Sequence, residues 1–261
     1  MHRGRTPLET MAEPTAPIFE VFSGIQGEGV LVGIRQVFVR FCGCNRRCFY
    51  CDTHEATCAR DHCAVEREPG SREFVNRPNP LSPAEVFAAV EALDAPRGLH
   101  DSVSLTGGEP LLYPDFIAAL CPLLAHAGLP VYLETNGTLP DALERVIEGV
   151  AHVAMDIKLA SATGQPTPWE DHRRFLVLAL RRAAQVKLVV SADTTEQELE
   201  LAGDIVASQP IVPPVVLQPV TPVRGMLPPS PERLLHLQEA LKRRLRDVRV
   251  ITQVHRLMGQ K

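Results

Sequence analysis

The stretch RFCGCNRRCFYCDTHE (residues 40–55) holds four of the chain's seven cysteines. Cys44, Cys48 and Cys51 follow the spacing C-x3-C-x2-C, and Cys42 lies two residues before the first of them. Structural zinc normally takes four ligands in two separate pairs, and no second C-x-x-C occurs in the chain. A four-iron cluster on three cysteines leaves one iron free for a small molecule. The spacing therefore favours an iron–sulfur cluster, while zinc and buried free thiols stay open.

The composition is that of a globular protein with a sizeable core. The 261 residues are 45% hydrophobic, and the net charge of −4 offers no basic surface for nucleic acid or an anionic membrane. Residues 1–17 are polar and lack the apolar block of a secretory signal. No run approaches the ~20 apolar residues of a membrane-spanning helix. We therefore expect a cytoplasmic protein with reduced thiols, and the odd number of cysteines agrees.

Strand-like and helix-like segments alternate along the chain. The predicted strands are QVFVRF (36–41), SVSL (102–105), VYLET (131–135), VAMDI (153–157), VKLVV (186–190), VVLQ (215–218) and VRVI (248–251). The predicted helices cover residues 82–93, 114–126, 140–148, 169–183, 194–207 and 231–245. This alternation predicts the α/β class with a mainly parallel sheet. A closed barrel needs eight units, and a doubly wound sheet usually has G-x-G-x-x-G after its first strand. The chain has about seven predicted strands and no G-x-G-x-x-G after the first of them. We therefore expect an incomplete (β/α) barrel.

Two parts of the chain do not follow the alternation. Residues 1–17 are interpreted as a flexible N-terminal extension, and residues 18–261 as one domain. Residues 54–80 are polar, and we expect an exposed insertion loop there.

The cysteines outside the C-x3-C-x2-C motif are expected to have no metal-binding function. Cys58 and Cys63 lie in the expected insertion loop, and their spacing matches no known metal site, so we interpret them as solvated. Cys42 and Cys121 are expected to be small buried side chains.

A second motif points to ligand binding beside the cysteines. SLTGGEP (104–110) follows the second predicted strand, and its glycines allow the backbone to approach a ligand closely. With C-x3-C-x2-C and Tyr50 before the last cysteine, it resembles the signature of radical S-adenosylmethionine (SAM) enzymes. The resemblance implies a 4Fe–4S cluster on Cys44, Cys48 and Cys51, whose open iron binds SAM. It further implies that an electron from the cluster cleaves SAM to a 5′-deoxyadenosyl radical, which abstracts hydrogen from a substrate.

The N-terminal stretch FEVFSGIQGEGVLVGIRQVFVRFCGCNRRCFYCDT (19–53) narrows the resemblance. Together with YLETNGT, MDIKLA, LQPVT and QVHRL, it resembles the 7-carboxy-7-deazaguanine synthase family over most of residues 19–257. The resemblance implies a partial barrel of the radical SAM type and a homodimer. It also implies conversion of 6-carboxy-5,6,7,8-tetrahydropterin to 7-carboxy-7-deazaguanine with loss of ammonia, in queuosine or deazapurine biosynthesis. Mg²⁺ and an electron donor such as flavodoxin or ferredoxin are implied as well.

The family's functional positions fall on matching residues of this sequence. By resemblance, the substrate would contact Ile25, Gln26, Gly27, Glu28, Arg40, Thr106, Glu134 and His255. SAM would contact Tyr50, Asp52, Gly108, Lys158 and Gln218. Thr53 would bind Mg²⁺ through its hydroxyl, which suits a hard cation that keeps several waters. The guanidinium of Arg40 can pair bidentately with a substrate carboxylate.

Two other functions stay open from the sequence. A glycyl-radical-enzyme activating enzyme would share the cysteine loop and a short barrel, although IQGEG, Arg40 and His255 argue against it. A structural zinc protein would contain zinc and neither iron nor sulfide. Neither a nucleic acid nor a membrane is expected as a partner.

Overall fold

The computed structural model describes residues 13–260, in which helices cover one mixed sheet. The strands are β1 Ile18–Ile25, β2 Arg35–Phe41, β3 His62–Glu66, β4 Phe74–Pro78, β5 Ser102–Gly107, β6 Val131–Thr135, β7 His152–Asp156, β8 Ala183–Val190, β9 Val215–Pro219 and β10 Val248–Val250. The helices are α1 Pro83–Leu93, α2 Pro114–His126, α3 Pro140–Val146, α4 Ala160–Thr163, α5 Trp169–Ala179, α6 Glu196–Ala207, α7 Pro231–Lys242 and α8 Val254–Leu257. The strand order β10-β9-β8-β7-β6-β5-β2-β1-β3-β4 has two free ends, so the sheet does not close. The predicted α/β class and incomplete barrel are confirmed.

The sheet is parallel over most of its width. Strand β2 is parallel to β5, and each strand from β5 to β9 is parallel to the next one in the chain, to which a helical crossover connects it. On the other side, β1 is antiparallel to β2 and parallel to β3, while β3 and β4 form an antiparallel pair. Within residues 13–260, no helix combines the length and the apolar character that crossing a membrane requires.

The parallel strands separate apolar from functional side chains by simple alternation. In β5, Val103 and Leu105 belong to the core, whereas Thr106 faces a cavity on the other side. In β8, Val186 and Leu188 are core residues, and Lys187 between them lines the same cavity. Successive side chains of a strand point to opposite faces. One face therefore packs against helices, and the other supplies polar groups to a site.

The helices pack side by side in the order α1, α2, α3, α5, α6 and α7. Helix α1 begins where the sequence predicted, because Ser82 and Glu85 form a capping box. The backbone N–H of Glu85 donates to the Ser82 hydroxyl at 3.3 Å, and the Ser82 N–H donates to the Glu85 carboxylate at 2.8 Å. Such a cap stabilises a helix by about 1 kcal/mol.

The segment 54–80 is not the irregular loop that its polar composition predicted. It contains a 3-10 turn at His54–Thr57 and the strands β3 and β4, which extend the sheet from β1. The side chain of Cys63 on β3 is fully buried, and burial raises the pKa of its thiol to about 12. The prediction of a solvated Cys63 was therefore wrong, because pairing with β1 buries one face of a short polar strand. Cys58 is exposed as expected.

The N-terminal boundary also differs from the prediction. Residues 1–12 of the expected extension lie outside the described part of the chain, but Ala16 is buried and forms an antiparallel bridge with Leu81. Strand β1, which was not predicted, pairs with β2 and places the IQGEG loop beside the parallel strands. Cys42 and Cys121 are buried, as predicted.

Candidate active site

A cavity of about 930 Å³ opens at the carboxyl ends of the parallel strands. Its size lies at the upper end of the range of roughly 300–1,000 Å³ for small-molecule sites, so two ligands fit side by side. Every residue that the sequence analysis assigned to substrate, SAM or metal lines this cavity, from Ile25 to His255. The fold thus brings the whole predicted set together, while the individual assignments remain predictions.

The three motif cysteines lie in the loop after β2. The side chains of Cys44, Cys48 and Cys51 are partly buried and line the cavity wall. Burial raises the pKa of the Cys44 and Cys48 thiols, so bound metal would have to displace their protons. The Arg46 backbone N–H donates to Cys44 Sγ at 3.4 Å, and the Asn136 amide donates to it at 3.9 Å. Three thiols on one cavity wall, with two N–H donors at Cys44, fit an iron–sulfur cluster that keeps an open position.

The glycine motif after β5 packs directly on the cysteine loop. The Glu109 backbone N–H donates to the Gly43 carbonyl at 2.8 Å. A Cβ atom on Gly108 would overlap that same carbonyl, so the close approach requires glycine at this position. Gly107 has φ +121°, a conformation that L side chains rarely adopt. The two motifs therefore form one wall of the cavity.

Glu109 ties this wall to the end of β6. Its fully buried carboxylate accepts from the Leu111 N–H at 3.1 Å, the Thr135 hydroxyl at 2.8 Å and the Asn136 N–H at 2.8 Å. Burial raises the pKa of Glu109, although these hydrogen bonds act in the opposite direction. Asn136 in turn donates to Asn45 at 2.8 Å, so Glu109 positions the side chain that contacts Cys44.

A lysine, a tyrosine and a carboxylate stand together on the cysteine side of the cavity. Lys158 Nζ lies 2.7 Å from Asp156 Oδ2 and 2.8 Å from the Tyr50 hydroxyl. Burial acts to lower the pKa of Lys158, but the charge of Asp156 prevails and raises it well above its ordinary value. Lys158 is therefore a permanent cation.

Two buried oxygens in the cavity lining have no hydrogen-bond partner among the described residues. They are Asp156 Oδ1 and Gln218 Oε1, and both side chains line the cavity. A buried acceptor without a partner is costly, and such cases call for an explanation. Donors on a bound molecule would satisfy both atoms.

The IQGEG loop after β1 meets β5 and β6 through a carboxylate. Glu134 accepts from Gln26 Nε2 at 2.8 Å, from the Ser104 hydroxyl at 3.1 Å and from the Thr106 hydroxyl at 2.8 Å. Gln26 also donates to Gln36 at 2.9 Å, and its own oxygen accepts from the Glu28 N–H at 2.9 Å. These bonds hold Gln26, Thr106 and Glu134 in one fixed polar surface.

Glu28 of the same loop is held as a carboxylate. Its Oε2 lies 2.5 Å from Lys187 Nζ, and its Oε1 accepts from Gln253 Nε2 at 2.8 Å. Burial raises the pKa of Glu28, but the Lys187 charge and these hydrogen bonds outweigh it and bring the pKa to about 2. Glu28 therefore presents a negative charge to the cavity at every physiological pH.

The C-terminal residues close this side of the cavity. The Val254 N–H donates to the Gly27 carbonyl at 2.9 Å, and a side chain on Gly27 would overlap His255. Gln253 also donates to Asp52 at 2.8 Å. One ligand atom each from Glu28, Asp52 and His255 lies within 4.8 Å of the other two. Each oxygen of Glu28 already accepts one hydrogen bond, from Lys187 or from Gln253, and keeps a further acceptor site for a ligand.

Arg40 and Thr53 lie on either side of the cysteine loop. Arg40 projects from β2 into the cavity, where its Nε is 2.9 Å from Glu20 Oε1, and the side chain of Arg40 is 13% exposed. Glu20 uses part of the guanidinium fork, which has five donor hydrogens, so the fork can still accept a ligand. Thr53 borders the same cavity next to Asp52.

Sequence reasoning missed several polar residues that line the cavity. Gln185 accepts from the Val30 N–H at 2.6 Å and donates to the Tyr132 hydroxyl at 2.8 Å. It thereby links the end of the IQGEG loop to β6. Lys187 two residues later holds Glu28. The sequence signal for both residues was alternation, since Gln185 and Lys187 occupy every second position of the otherwise apolar strand β8.

A family model and two solved structures show the class of enzyme to which the chain is similar. The Radical SAM superfamily model matches residues 38–199, which include the cysteine loop and SLTGGEP. The crystal structure of QueE from Escherichia coli shares the fold with a TM-score of 0.61 at 22% identity, covering 92% of this chain and 95% of that one. A radical SAM methyltransferase from Sphaerobacter thermophilus has a TM-score of 0.57 at 15% identity, covering 84% and 70% of the two chains. The fold and site therefore define a radical SAM enzyme.

Full-length relatives then give the particular family. The chain is 47% identical to the 7-carboxy-7-deazaguanine synthase of Geobacter sulfurreducens over 96% of its length and 100% of the relative's. It is 36% identical to the enzyme of that name from Methanothermobacter thermautotrophicus, over 94% and 97% of the two chains. The chain belongs to the 7-carboxy-7-deazaguanine synthase family, and the radical SAM class implies a 4Fe–4S cluster and SAM as cofactors.

Proposed function

We propose that this chain is a carbon–nitrogen lyase that converts 6-carboxy-5,6,7,8-tetrahydropterin to 7-carboxy-7-deazaguanine, with loss of ammonia. The names of its full-length relatives support this reaction. The observation that carries the proposal is one cavity whose lining includes three thiols, the IQGEG loop, Arg40 and Glu134. The product would enter queuosine or another deazapurine pathway. The proposal also includes a homodimer and an external electron donor.

The cysteine side of the cavity would hold the cofactors. Cys44, Cys48 and Cys51 would bind the cluster, which with SAM supplies the radical chemistry that removes a hydrogen atom from the substrate. Tyr50 and Gly108 line the cavity and would contact SAM, as would Asp52, which Gln253 links to Glu28 at the boundary with the other side. The unpartnered oxygens of Asp156 and Gln218 would accept hydrogen bonds from it, and Lys158 would favour a carboxylate group nearby.

The opposite side would hold the pterin. A pterin edge presents donors and acceptors next to one another, which the amide of Gln26 and the carboxylate of Glu134 complement. Glu28, ionised by Lys187, would attract the amino groups of the ring. Arg40 would bind the substrate carboxylate, and His255 with Ile25 and Gly27 would cover the ring. Substrate and SAM would then lie next to each other, out of bulk water.

Magnesium would occupy the boundary between substrate and cysteine loop. The hydroxyl of Thr53 would be one ligand, with substrate oxygens and waters as the others. The side chain of Thr53 borders the cavity, which supports this assignment. Omission of Mg²⁺ should slow product formation and leave the iron content unchanged.

The direct test is anaerobic incubation of the reconstituted enzyme with SAM, dithionite, Mg²⁺ and the carboxytetrahydropterin. Formation of 7-carboxy-7-deazaguanine and ammonia in equal amounts supports the proposal. A protein that cleaves SAM but forms no deazaguanine would refute the substrate assignment. A protein that contains zinc and no iron would refute the cluster as well.

A further inference from the structure

The side chain of Gln253 connects three segments that line the cavity. It is 8% exposed, and its Nε2 donates to Glu28 Oε1 at 2.8 Å and to Asp52 Oδ2 at 2.8 Å. Its Oε1 accepts from the Thr221 hydroxyl at 2.5 Å. Glu28 belongs to the IQGEG loop, Asp52 to the cysteine loop and Thr221 to the segment after β9. Both N–H donors of the amide are therefore used, one on each carboxylate.

The neighbours of Gln253 fix the orientation of its amide. An ionised carboxylate accepts hydrogen bonds and cannot donate them, so the NH2 group has to face Glu28 and Asp52. Hydrogen bonds to charged groups are stronger than those between neutral groups. One oxygen of Glu28 lies within 4.8 Å of one oxygen of Asp52, a distance at which two carboxylates repel each other. The amide of Gln253 therefore holds together two like charges that would otherwise separate.

Asp52 has little else to hold it. Among residues 13–260, its other polar contact is with Arg256 Nη2 at 3.4 Å, and both side chains of that pair are more than a third exposed. Exposed ion pairs of this kind contribute little. Glu28, by contrast, is also held by Lys187. A ligand that contacts Asp52 would therefore fix the position of this carboxylate, and Gln253 would pass the effect to Glu28.

We propose that Gln253 is a positioning residue that couples the binding of SAM to the binding of the pterin; this inference rests on the proposed function. SAM in contact with Asp52 would fix that carboxylate. Through the shared amide it would also hold Glu28 in the place where Glu28 attracts the amino groups of the pterin. Coupling between two ligands is reciprocal, so the pterin would tighten the binding of SAM by the same factor.

The test is anaerobic titration calorimetry with the cluster-loaded enzyme and no reductant, so that neither ligand is consumed. The Kd of the carboxytetrahydropterin is measured with and without SAM, and the Kd of SAM with and without the pterin. In the wild type each ligand should lower the Kd of the other about tenfold. Gln253→Met keeps the length of the side chain but removes both donors, and the coupling factor should fall below about twofold. Gln253→Glu puts a third carboxylate in place of the donors and should weaken pterin binding even without SAM.

Two further variants separate the bridge from a general effect on the fold. Thr221→Val keeps the shape of the side chain and removes the hydrogen bond that orients the amide, so its coupling factor should lie between those of the wild type and Gln253→Met. Gln209→Met is the matched control, because Gln209 is likewise 8% exposed and its amide donates to the Ile205 carbonyl in α6. Its coupling factor should equal that of the wild type.

The coupling factors decide the outcome. A wild type without coupling would overturn the inference, as would wild-type coupling in both Gln253→Met and Thr221→Val. Equal loss of coupling in Gln209→Met would also overturn it, since the loss would then not depend on the bridge. A wild type that binds SAM but not the pterin would instead refute the proposed substrate, and this inference with it.

Discussion

The ion pair between Lys187 and Glu28 allows a quantitative test of the substrate side. Glu28 has a pKa of about 2 instead of 4.5, although burial acts to raise it. This lowering of the pKa corresponds to roughly 3 kcal/mol in favour of the carboxylate. The charge of Lys187 is the largest cause that lowers the pKa of Glu28. The other ionisable groups near this pair are Asp156, Asp52 and His255.

Replacement of Lys187 by methionine keeps the length of the side chain and removes its charge. Burial then dominates, and the pKa of Glu28 rises. The acid limb of kcat/KM for the pterin should therefore move to higher pH, and kcat/KM at neutral pH should fall by about 10- to 100-fold. The iron content should not change.

The same substitution should also change acid stability, and the sign follows from the pKa. A carboxylate with a depressed pKa stabilises the fold above the unfolded value near 4.5, and this contribution is lost as pH falls towards about 2. In Lys187→Met this contribution disappears, so unfolding free energy should decrease less between pH 4.5 and 2 than in the wild type. Denaturant unfolding at several pH values measures this decrease in the free energy of unfolding for both proteins.

The assay is the initial rate of deazaguanine formation from pH 5 to 9 at saturating SAM. Lys242→Met removes a lysine from the exposed end of α7 and serves as the control. The double variant Lys187→Met/Glu28→Gln measures how far the two effects are coupled. If the pH profiles of Lys187→Met and the wild type superimpose, Lys187 does not determine the charge state of Glu28.

Three further predictions concern the other walls of the cavity. Cys44→Ala should lose the cluster absorbance and SAM cleavage, whereas Cys58→Ala at an exposed thiol should retain both; cleavage by Cys44→Ala would contradict the ligand assignment. Gly108→Ala should displace the cysteine loop and lower the iron content. Gly203→Ala in α6 is the control, because the added methyl group meets only flexible side chains and should change the free energy of unfolding by less than about 1 kcal/mol. Arg40→Met should raise the KM for the pterin about 10- to 100-fold with little change in SAM cleavage without substrate, and an unchanged KM would remove Arg40 from carboxylate binding.

The elements of the parallel sheet could be predicted because their signals are local. The capping box at Ser82 marks the start of α1, and the bounds of α2 at Pro114–His126 and of β6 at Val131–Thr135 agree with the prediction. Strands β3 and β4 could not be predicted, since β3 becomes a strand by pairing with β1, and β4 becomes one by pairing with β3. The burial of Cys63 depends on the same pairing.

The sequence alone indicated the class of chemistry through residues that are close together in the chain. The spacing of Cys44, Cys48 and Cys51 and the glycines of SLTGGEP predict a cluster and a close ligand contact, because both depend on local backbone geometry. Only the tertiary structure decided which groups face one another. Lys187 meets Glu28 across 159 residues, and Glu134 meets Gln26 across 108. Alternation along a strand predicts which side chains share a face of the sheet. Which charged or polar group each of them meets depends on how the strands and loops associate in the folded chain.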